Sequence, residues 1–168
     1  GMGAAGMVAA KTAADNGAKV VIVEKCEEGK AGGNTKVCGQ LFAYANGDKD
    51  AAKSYYTALA GGRDIEPEII DAISEGVANM ADILADEFGF NKDEYMDWTG
   101  VNVGGTNMGA MSPEYPEMPG HEKMALWTTH AGASDGYLYQ GLKQNVTDRV
   151  DAIDVWYSSP AKSLIQDP

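Results

Sequence analysis

The stretch GMGAAGMVAAKTAADNGAKVVIVE, residues 1–24, decides the fold of this chain. It opens with a Gly-rich turn, continues through an Ala-rich segment to Gly17, and then enters the β-branched run of residues 20–23. Alanine favours helix, and a glycine just past the last helical residue is typical of a helix C-cap. A short, continuous β-branched run is typical of a parallel strand that is buried on both faces. The stretch therefore predicts a loop, a helix over residues 6–16 and a strand over residues 19–24, the second half of a βαβ unit.

The spacing of glycines in this stretch predicts a binding site for a dinucleotide. Gly1 permits a tight turn out of a preceding strand, Gly3 lets the backbone approach a pyrophosphate, and Gly6 allows close packing of the helix. The helix N-terminus presents N–H groups that have no intrahelical partner. Glu24 ends the strand, where its carboxylate can accept hydrogen bonds from both hydroxyls of an adenosine ribose. Each feature alone also fits an ordinary turn or a solvated charge, but their joint spacing favours NAD or FAD.

Composition and charge exclude several other classes of protein. A chain of 168 residues with 44% hydrophobic residues suits one globular domain. The net charge of −12, without a basic stripe, argues against nucleic acid and anionic membranes as partners. No apolar run approaches the ~20 residues of a membrane span, and no signal peptide is recognisable. Because the first strand is expected to be missing from the N-terminus, the lack of a signal peptide does not assign a compartment, and the cytoplasm is the default expectation only. Cys26 and Cys38 are interpreted as small buried apolar residues, and no metal-ligand spacing is present.

The rest of the chain predicts three further helices and a second strand. The predicted helices cover residues 48–59, 67–88 and 135–149, and the strand covers 153–157, with 161–165 as its continuation or hairpin partner. In the second of these helices a core-facing stripe at steps of three and four comprises Ile69, Ile73, Val77, Met80, Leu84 and Phe88. Residues 27–40 and 91–128 are predicted as loops, the second of them long enough for a functional lid. Four aromatic residues are interpreted as packing residues: Tyr95, Trp98, Trp127 and Trp156.

Residues beyond Glu24 carry a resemblance to a known family. Glu24-Lys25 is followed by Gly32-Gly33-Asn34-Thr35 and then by Gly39-Gln40, and residues 155–165 read VWYSSPAKSLI. With these motifs the chain resembles FAD-dependent fumarate reductases, urocanate reductases and 3-ketosteroid dehydrogenases, relatives of succinate dehydrogenase flavoprotein subunits. The resemblance implies an α/β, Rossmann-like FAD-binding domain of the glutathione-reductase type, partial and lacking its first strand. Residues 1–168 would form its N-terminal part, with the cap domain and the C-terminal half absent.

The resemblance also implies which residues contact each part of FAD. Those expected around the pyrophosphate are Gly1, Gly3, Ala4, Ala5 and Gly6. Those expected at the pyrophosphate and the ribityl chain are Gly33, Asn34 and Thr35. The remaining expected contacts are Glu24 and Lys25 at the ribose, the backbone of Gly39 and Gln40 at the isoalloxazine, and the backbone of Ala161 at the adenine. An ordinary polar turn is the alternative for residues 32–35.

The family's chemistry is implied in outline only. Where succinate dehydrogenase members carry a histidine that binds flavin covalently, this chain has Asn34, so non-covalent FAD is expected. Residues 38–41 also depart from the small residues and paired glycines usual in the family. The implied reaction is reduction or desaturation of a carbon–carbon bond by hydride transfer through the flavin. A small-molecule substrate would be bound mainly by regions outside this chain, with a possible electron-donor partner or domain, so no catalytic residue is named.

Two other functions stay open at the level of sequence. One is an NAD-dependent dehydrogenase with a similar phosphate loop, and the other is a non-catalytic fragment without bound cofactor. Because the first strand is expected to be missing, the isolated chain is expected to hold FAD weakly and to be inactive. His130 lies in a turn of small residues, where it either faces the flavin or substrate or is a polar loop histidine.

Overall fold

A computed structural model of the protein describes residues 1–103, 106–107, 115–132 and 135–165, with backbone alone for residues 102, 103, 106 and 107. The helices are α1 (Ala4–Asp15), α2 (Gly33–Val37), α3 (Lys49–Leu59), α4 (Pro67–Asp86) and α5 (Tyr137–Thr147). The strands are β1 (Val20–Val23), β2 (Phe42–Tyr44), β3 (Met96–Asp97), β4 (Asn102–Val103), β5 (Thr106–Asn107), β6 (Ala125–Thr128) and β7 (Ile153–Trp156). The described 3₁₀ turns cover Glu28–Lys30, Lys92–Glu94 and His121–Lys123.

The chain divides into two compact units. The first unit comprises Gly1–Gln40 and Ser134–Pro168, and the second comprises Leu41–Ala133. The first unit therefore contains the Gly-rich turn, α1, β1, α2, α5 and β7, and the second contains the remaining helices and strands. All of the residues expected to contact FAD lie in the first unit.

The first unit is built on a parallel pair of strands. Residues of β1 and β7 pair in register from Val20 with Ile153 to Val23 with Trp156. The α1 helix packs against both strands and against α5. The predicted order of Gly-rich turn, helix, glycine and strand is confirmed, because Gly17 follows α1 with a φ of 87° and β1 follows directly. The later predicted strand is confirmed as β7.

The prediction that β1 is buried on both faces is wrong. Ile22 is buried, but Val21 and Val23 are 45% and 37% exposed. Among the described residues, β1 hydrogen-bonds to β7 only, and its exposed valines line an open groove of about 430 Å³ with Gly6 and Ala10. A β-branched run therefore identified the strand correctly, but the groove beside it leaves one face in contact with solvent.

An ion cluster joins α1 to the end of α5. The carboxylate of Asp15 accepts from Lys11 Nζ at 2.7 Å and from Arg149 Nε at 2.6 Å. Arg149 also donates to the carbonyl of Asn145, one turn earlier on the α5 side. Hydrogen bonds from Arg149 and Lys11 lower the pKa of Asp15 to about 2. Lys11 is itself buried, so the carboxylate of Asp15 provides the ion-pair partner that its buried ammonium group requires.

The second unit contains an antiparallel sheet of order β2-β6-β3 and the helix pair α3 and α4. Its core cluster comprises Ala45, Ala52, Tyr55, Val77 and Met124. The predicted helix starts are confirmed: Asp48 caps α3 by accepting from the N–H of Ala51 at 2.9 Å, and Pro67 is the first residue of α4.

The face of α4 that is buried differs from the predicted stripe. Ile69 and Ile73 are 51% and 41% exposed, although Val77, Leu84 and Phe88 are buried as predicted. The residues of α4 that are buried are Ile70, Ser74, Val77, Ala78, Ala81 and Leu84. Ser74 tolerates burial because its hydroxyl donates to the carbonyl of Ile70 at 2.6 Å. Small side chains thus make up part of the buried face of α4, which hydrophobic periodicity alone does not reveal.

Two segments predicted as loops contain regular structure. Residues 27–40 include a 3₁₀ turn and α2, and residues 91–128 include β3 and β6. Part of the second segment, residues 104–105 and 108–114, lies outside the described residues. Short strands such as β3 are defined by pairing with distant strands, so a local sequence pattern gives little indication of them.

The predicted strand over residues 161–165 is wrong. Ser158 adopts a φ of 51°, and the N–H of Ser159 donates to the carbonyl of Glu24 at 2.8 Å. The chain therefore turns back over the end of β1 after β7, and Leu164 and Ile165 are almost fully exposed. The Cys38 thiol is also exposed, at the C-cap of α2, so its interpretation as a buried apolar residue is wrong, and Cys26 is half-buried.

Three of the four aromatic residues assigned to packing have that role. Trp98 is buried and its indole N–H donates to the hydroxyl of Thr128 at 2.8 Å. Trp127 and Tyr95 make edge contacts with neighbouring aromatic rings. Trp156 is 57% exposed at the end of β7, so the packing interpretation is wrong for this residue.

Candidate cofactor site

The Gly-rich turn folds back tightly on the first turn of α1. Gly3 is the N-cap of the helix, and its carbonyl accepts from the N–H of Met7 at 3.0 Å. A Cβ on Gly6 would lie 1.9 Å from the carbonyl oxygen of Gly1, a distance that no side chain can adopt. Met2 is fully buried and anchors the turn. The predicted need for glycine at position 6 is confirmed, although its contact is with the turn itself.

Glu24 lies at the mouth of this turn. One carboxylate oxygen, Oε2, accepts from the N–H of Met2 at 2.7 Å, and Oε1 accepts from the N–H of Cys26 at 2.8 Å. A Cβ on Gly1 would lie 3.6 Å from Oε2. These two backbone donors lower the pKa of Glu24, so the carboxylate is ionised at neutral pH although the residue is only 6% exposed. Each oxygen keeps a further lone pair with which it can accept a hydroxyl proton.

Thr35 reaches the N-terminus of α1 from a distant part of the chain. Its hydroxyl oxygen accepts from the N–H of Ala4 at 2.9 Å, one of the groups that lack an intrahelical partner. The hydroxyl also lies 3.8 Å from the position that a Cβ on Gly3 would take. Because its oxygen receives the helix N–H, the hydroxyl hydrogen is left to donate elsewhere. This contact explains why α1 begins at Ala4, two residues before the predicted start.

Gln40 connects the end of α2 to the beginning of α5. The side chain is buried; its Nε2 donates to the carbonyls of Thr35 and Cys38, at 2.7 and 3.1 Å, and its Oε1 accepts from the N–H of Tyr139 at 3.2 Å. The backbone adopts a φ of 64°. Sequence reasoning assigned Gln40 a backbone contact only, so this side-chain role is an addition. The contact of Gly39 and Gln40 with the isoalloxazine stays a prediction.

An open groove of about 420 Å³ runs past the turn and the end of β1. Its lining residues are Gly1, Gly3, Val23, Glu24, Lys25, Cys26, Lys30, Gly33, Lys36, Val37 and Ala161. The groove thus brings together six residues that the sequence predicted as cofactor contacts: Gly1, Gly3, Glu24, Lys25, Gly33 and Ala161. The other predicted residues lie outside its lining as the structure describes it: Ala4, Ala5, Gly6, Asn34, Thr35, Gly39 and Gln40.

Sequence reasoning missed two lysines of this groove, Lys30 and Lys36. Together with Lys25 they place three cations around a single groove in a chain of net charge −12. The signal was available in the sequence, since the three lysines all lie between Glu24 and Val37, the last of them directly after the Gly-Gly-Asn-Thr motif. Their convergence on one groove was not predicted, because the spacing of residues along a Gly-rich segment does not fix the direction of each side chain.

The described residues contain no helix that is long and apolar enough to cross a bilayer. His130, in the second unit, is half-buried just after β6, and its two proposed roles stay predictions.

Comparison with known proteins decides the family. A family model described as "FAD binding domain" matches residues 1–168. The chain belongs to this family. The family is that of the fumarate reductase and succinate dehydrogenase flavoproteins, so the resemblance is confirmed at the level of the family. FAD is therefore the cofactor of this FAD-binding domain, and the domain is a segment of a flavoprotein oxidoreductase. No curated protein and no solved structure matched the chain.

The residues of the groove fit the ADP half of FAD. A ribose requires acceptors for two hydroxyl protons, which the Glu24 carboxylate can supply. A pyrophosphate requires N–H donors and positive charge, which the first turn of α1 and the groove lysines can supply. The absence of a Cβ at Gly1 and Gly3 leaves the backbone open to the groove.

Proposed function

We propose that this FAD-binding domain holds its cofactor without a covalent link, with the ADP half between the Gly-rich turn and Glu24. The observation that carries the proposal is the position of Glu24. Its carboxylate is ionised, almost inaccessible, and held by Met2 and Cys26 at the mouth of the turn. A buried carboxylate that retains free lone pairs is suited to bind the two hydroxyls of a ribose.

Each group of residues has a defined part in this proposal. Gly1, Gly3 and the N–H groups of Ala5 and Gly6 bind the pyrophosphate, and Thr35 adds its hydroxyl proton. Ala4 contributes by fixing Thr35 through its N–H. Further contacts with the cofactor are made by Lys25, Gly33, Asn34, Gly39, Gln40 and Ala161. The parallel pairing of β1 with β7, and the packing of α1 on both, support a Rossmann-like arrangement for the first unit.

The proposed binding is non-covalent because of the side chain at position 34. Asn34 carries a carboxamide, which is not a nucleophile and cannot form the covalent bond that a histidine forms with flavin. The side chain is exposed near the N-terminus of α2. It can contribute hydrogen bonds only, which suits contact with a phosphate or a ribityl hydroxyl.

The whole enzyme, on this proposal, reduces or desaturates a carbon–carbon bond. FAD supplies the hydride chemistry when it is bound, and this chain's residues bind and orient it. The family assignment supports the reaction class. A small-molecule substrate and an electron donor would interact mainly with residues other than those of this chain.

Replacement of Glu24 by alanine tests the proposed role. We expect Glu24→Ala to weaken FAD binding by at least about tenfold, because charge-assisted hydrogen bonds contribute roughly 1.5–3 kcal/mol each. Binding is measured by quenching of flavin fluorescence, with circular dichroism to establish that the variant is folded. Glu68→Ala, which removes an exposed carboxylate from α4, is the control and should bind FAD like the wild type. A folded Glu24→Ala protein with unchanged FAD affinity would contradict the ribose role.

A further inference from the structure

Lys36 occupies an unusual position in the wall of the cofactor groove. Its ammonium group donates to the carbonyl oxygen of Gly29 at 2.6 Å and lies 5.8 Å from the centre of the Tyr139 ring. Both partners are uncharged. An ammonium group has three N–H donors, so the bond to Gly29 leaves two of them for a ligand.

The neighbouring lysines differ in their partners. Lys30 pairs with Glu27 at 2.8 Å, and Lys143 pairs with Glu28 at 3.4 Å. Within the part of the chain that the structure describes, Lys36 has no carboxylate partner within ion-pair distance. In a chain of net charge −12, a cation that lines a groove without a carboxylate partner is available to an anionic ligand.

The position of Lys36 is fixed by close packing around Gly32. Gly32 adopts a φ of 124°, and a Cβ there would lie 2.7 Å from the Tyr139 ring and 2.8 Å from Cβ of Lys36. The Tyr139 hydroxyl donates to the carbonyl of Ala31 at 3.2 Å, which holds the ring in place. The stem of Lys36 therefore begins in closely packed surroundings, and Lys36 lines the same groove as Gly1 and Gly3.

We propose that Lys36 binds the pyrophosphate of the cofactor and strengthens the preference of the groove for a diphosphate over an uncharged nucleoside. This inference rests on the proposed function, since it assumes that the ADP half occupies the groove. The ammonium group adds a full positive charge to the partial charge at the N-terminus of α1, from the opposite segment of the chain. Of the other two lysines of the groove, Lys30 pairs with Glu27, and Lys25 is expected at the ribose.

The test compares ADP with adenosine, which share a ribose and an adenine but differ in the phosphates. Their dissociation constants are measured by calorimetry with the 168-residue chain and with Lys36→Gln, Lys36→Arg and Lys53→Gln, the last of which removes an exposed lysine from α3. We expect Lys36→Gln to weaken ADP binding about tenfold, as loss of one charge-assisted hydrogen bond implies, and to leave adenosine binding unchanged. Lys36→Arg should restore the preference for ADP, and Lys53→Gln should bind both ligands like the wild type.

The possible outcomes separate this inference from the proposed function. If the wild-type chain bound ADP no better than adenosine, the proposed function itself would fail, and this inference with it. If the wild type preferred ADP and Lys36→Gln kept the same preference, the role of Lys36 alone would be overturned. An equal loss of ADP and adenosine affinity in Lys36→Gln would assign the lysine a structural role and would overturn the inference too. A smaller dependence of ADP binding on salt in Lys36→Gln than in the wild type would support it.

Discussion

At the scale of single residues, three contacts with residues 1–6 fix the backbone of the Gly-rich turn before α1. Glu24 accepts from the N–H of Met2, Thr35 accepts from the N–H of Ala4, and Gly6 lies against the carbonyl of Gly1. The backbone is therefore fixed in shape by contacts within the protein, which is what preorganisation of a binding site requires. A change at any of these contacts should affect both stability and cofactor binding.

Gly6→Ala is the most direct test of this turn. The new Cβ would lie 1.9 Å from the Gly1 carbonyl oxygen, and the backbone must move because no flexible side chain is involved. We expect the free energy of unfolding to fall by about 1–3 kcal/mol, as for overpacked sites, and FAD affinity to fall with it. Urea denaturation and flavin fluorescence measure the two effects. Gly76→Ala, where a Cβ meets open space in α4, is the matched control and should leave both quantities no lower than in the wild type.

At the scale of secondary-structure elements, the ion cluster of Lys11, Asp15 and Arg149 joins α1 to α5. The helix that begins at the Gly-rich turn is thus held at its other end by charges. Because the N–H groups that we propose to bind phosphate lie on α1, the position of α1 relative to α5 also sets the position of the turn. The cluster is the part of the first unit that should respond most to acid.

Asp15→Asn should lower stability in a pH-dependent way. The pKa of Asp15 is about 2 in the folded protein, below its ordinary value of 3.8. The carboxylate therefore stabilises the fold above its ordinary pKa, and this contribution is lost as the pH falls from about 4 towards about 2. We expect a lower urea midpoint for Asp15→Asn at pH 7, and a difference from the wild type that narrows below pH 4. Asp151→Asn, at an exposed site, should show no such difference, and an equal loss at pH 7 in both variants would contradict the cluster's role.

The elements also show what a sequence pattern can predict. Local signals in the sequence predicted several elements, namely α1, β1, α3 and β7. These signals are a capping residue or a terminal glycine for a helix, and a β-branched run for a strand. The buried face of α4 was predicted only in part because it includes the small residues Ser74, Ala78 and Ala81, and the hydroxyl of Ser74 donates to the carbonyl of Ile70. The strands β2, β3 and β6 of the second unit were missed because each depends on a partner that is distant in sequence.

At the scale of the whole molecule, the lining of the candidate groove was predicted only in part. The positions of Gly1, Gly3 and Glu24 in the groove could be predicted because the Gly-rich turn and the end of β1 lie within one short stretch with fixed spacing. The positions of Lys30 and Lys36 in the groove and the side-chain contacts of Gln40 could not be predicted, because they depend on how residues 27–40 fold against α1 and α5. An acidic chain thus concentrates cations at one groove, a feature that net charge conceals.

The most direct test of the central claim is the preference of the 168-residue chain for FAD over riboflavin, which has the same isoalloxazine but no ADP half. Dissociation constants for both are measured by fluorescence quenching under the same conditions, so that a weak absolute affinity does not affect the comparison. If the Gly-rich turn and Glu24 bind the ADP half, FAD should bind at least about a hundredfold more tightly than riboflavin, which is the equivalent of two charge-assisted hydrogen bonds. Equal affinity for FAD and riboflavin, or tighter binding of riboflavin, would contradict the account.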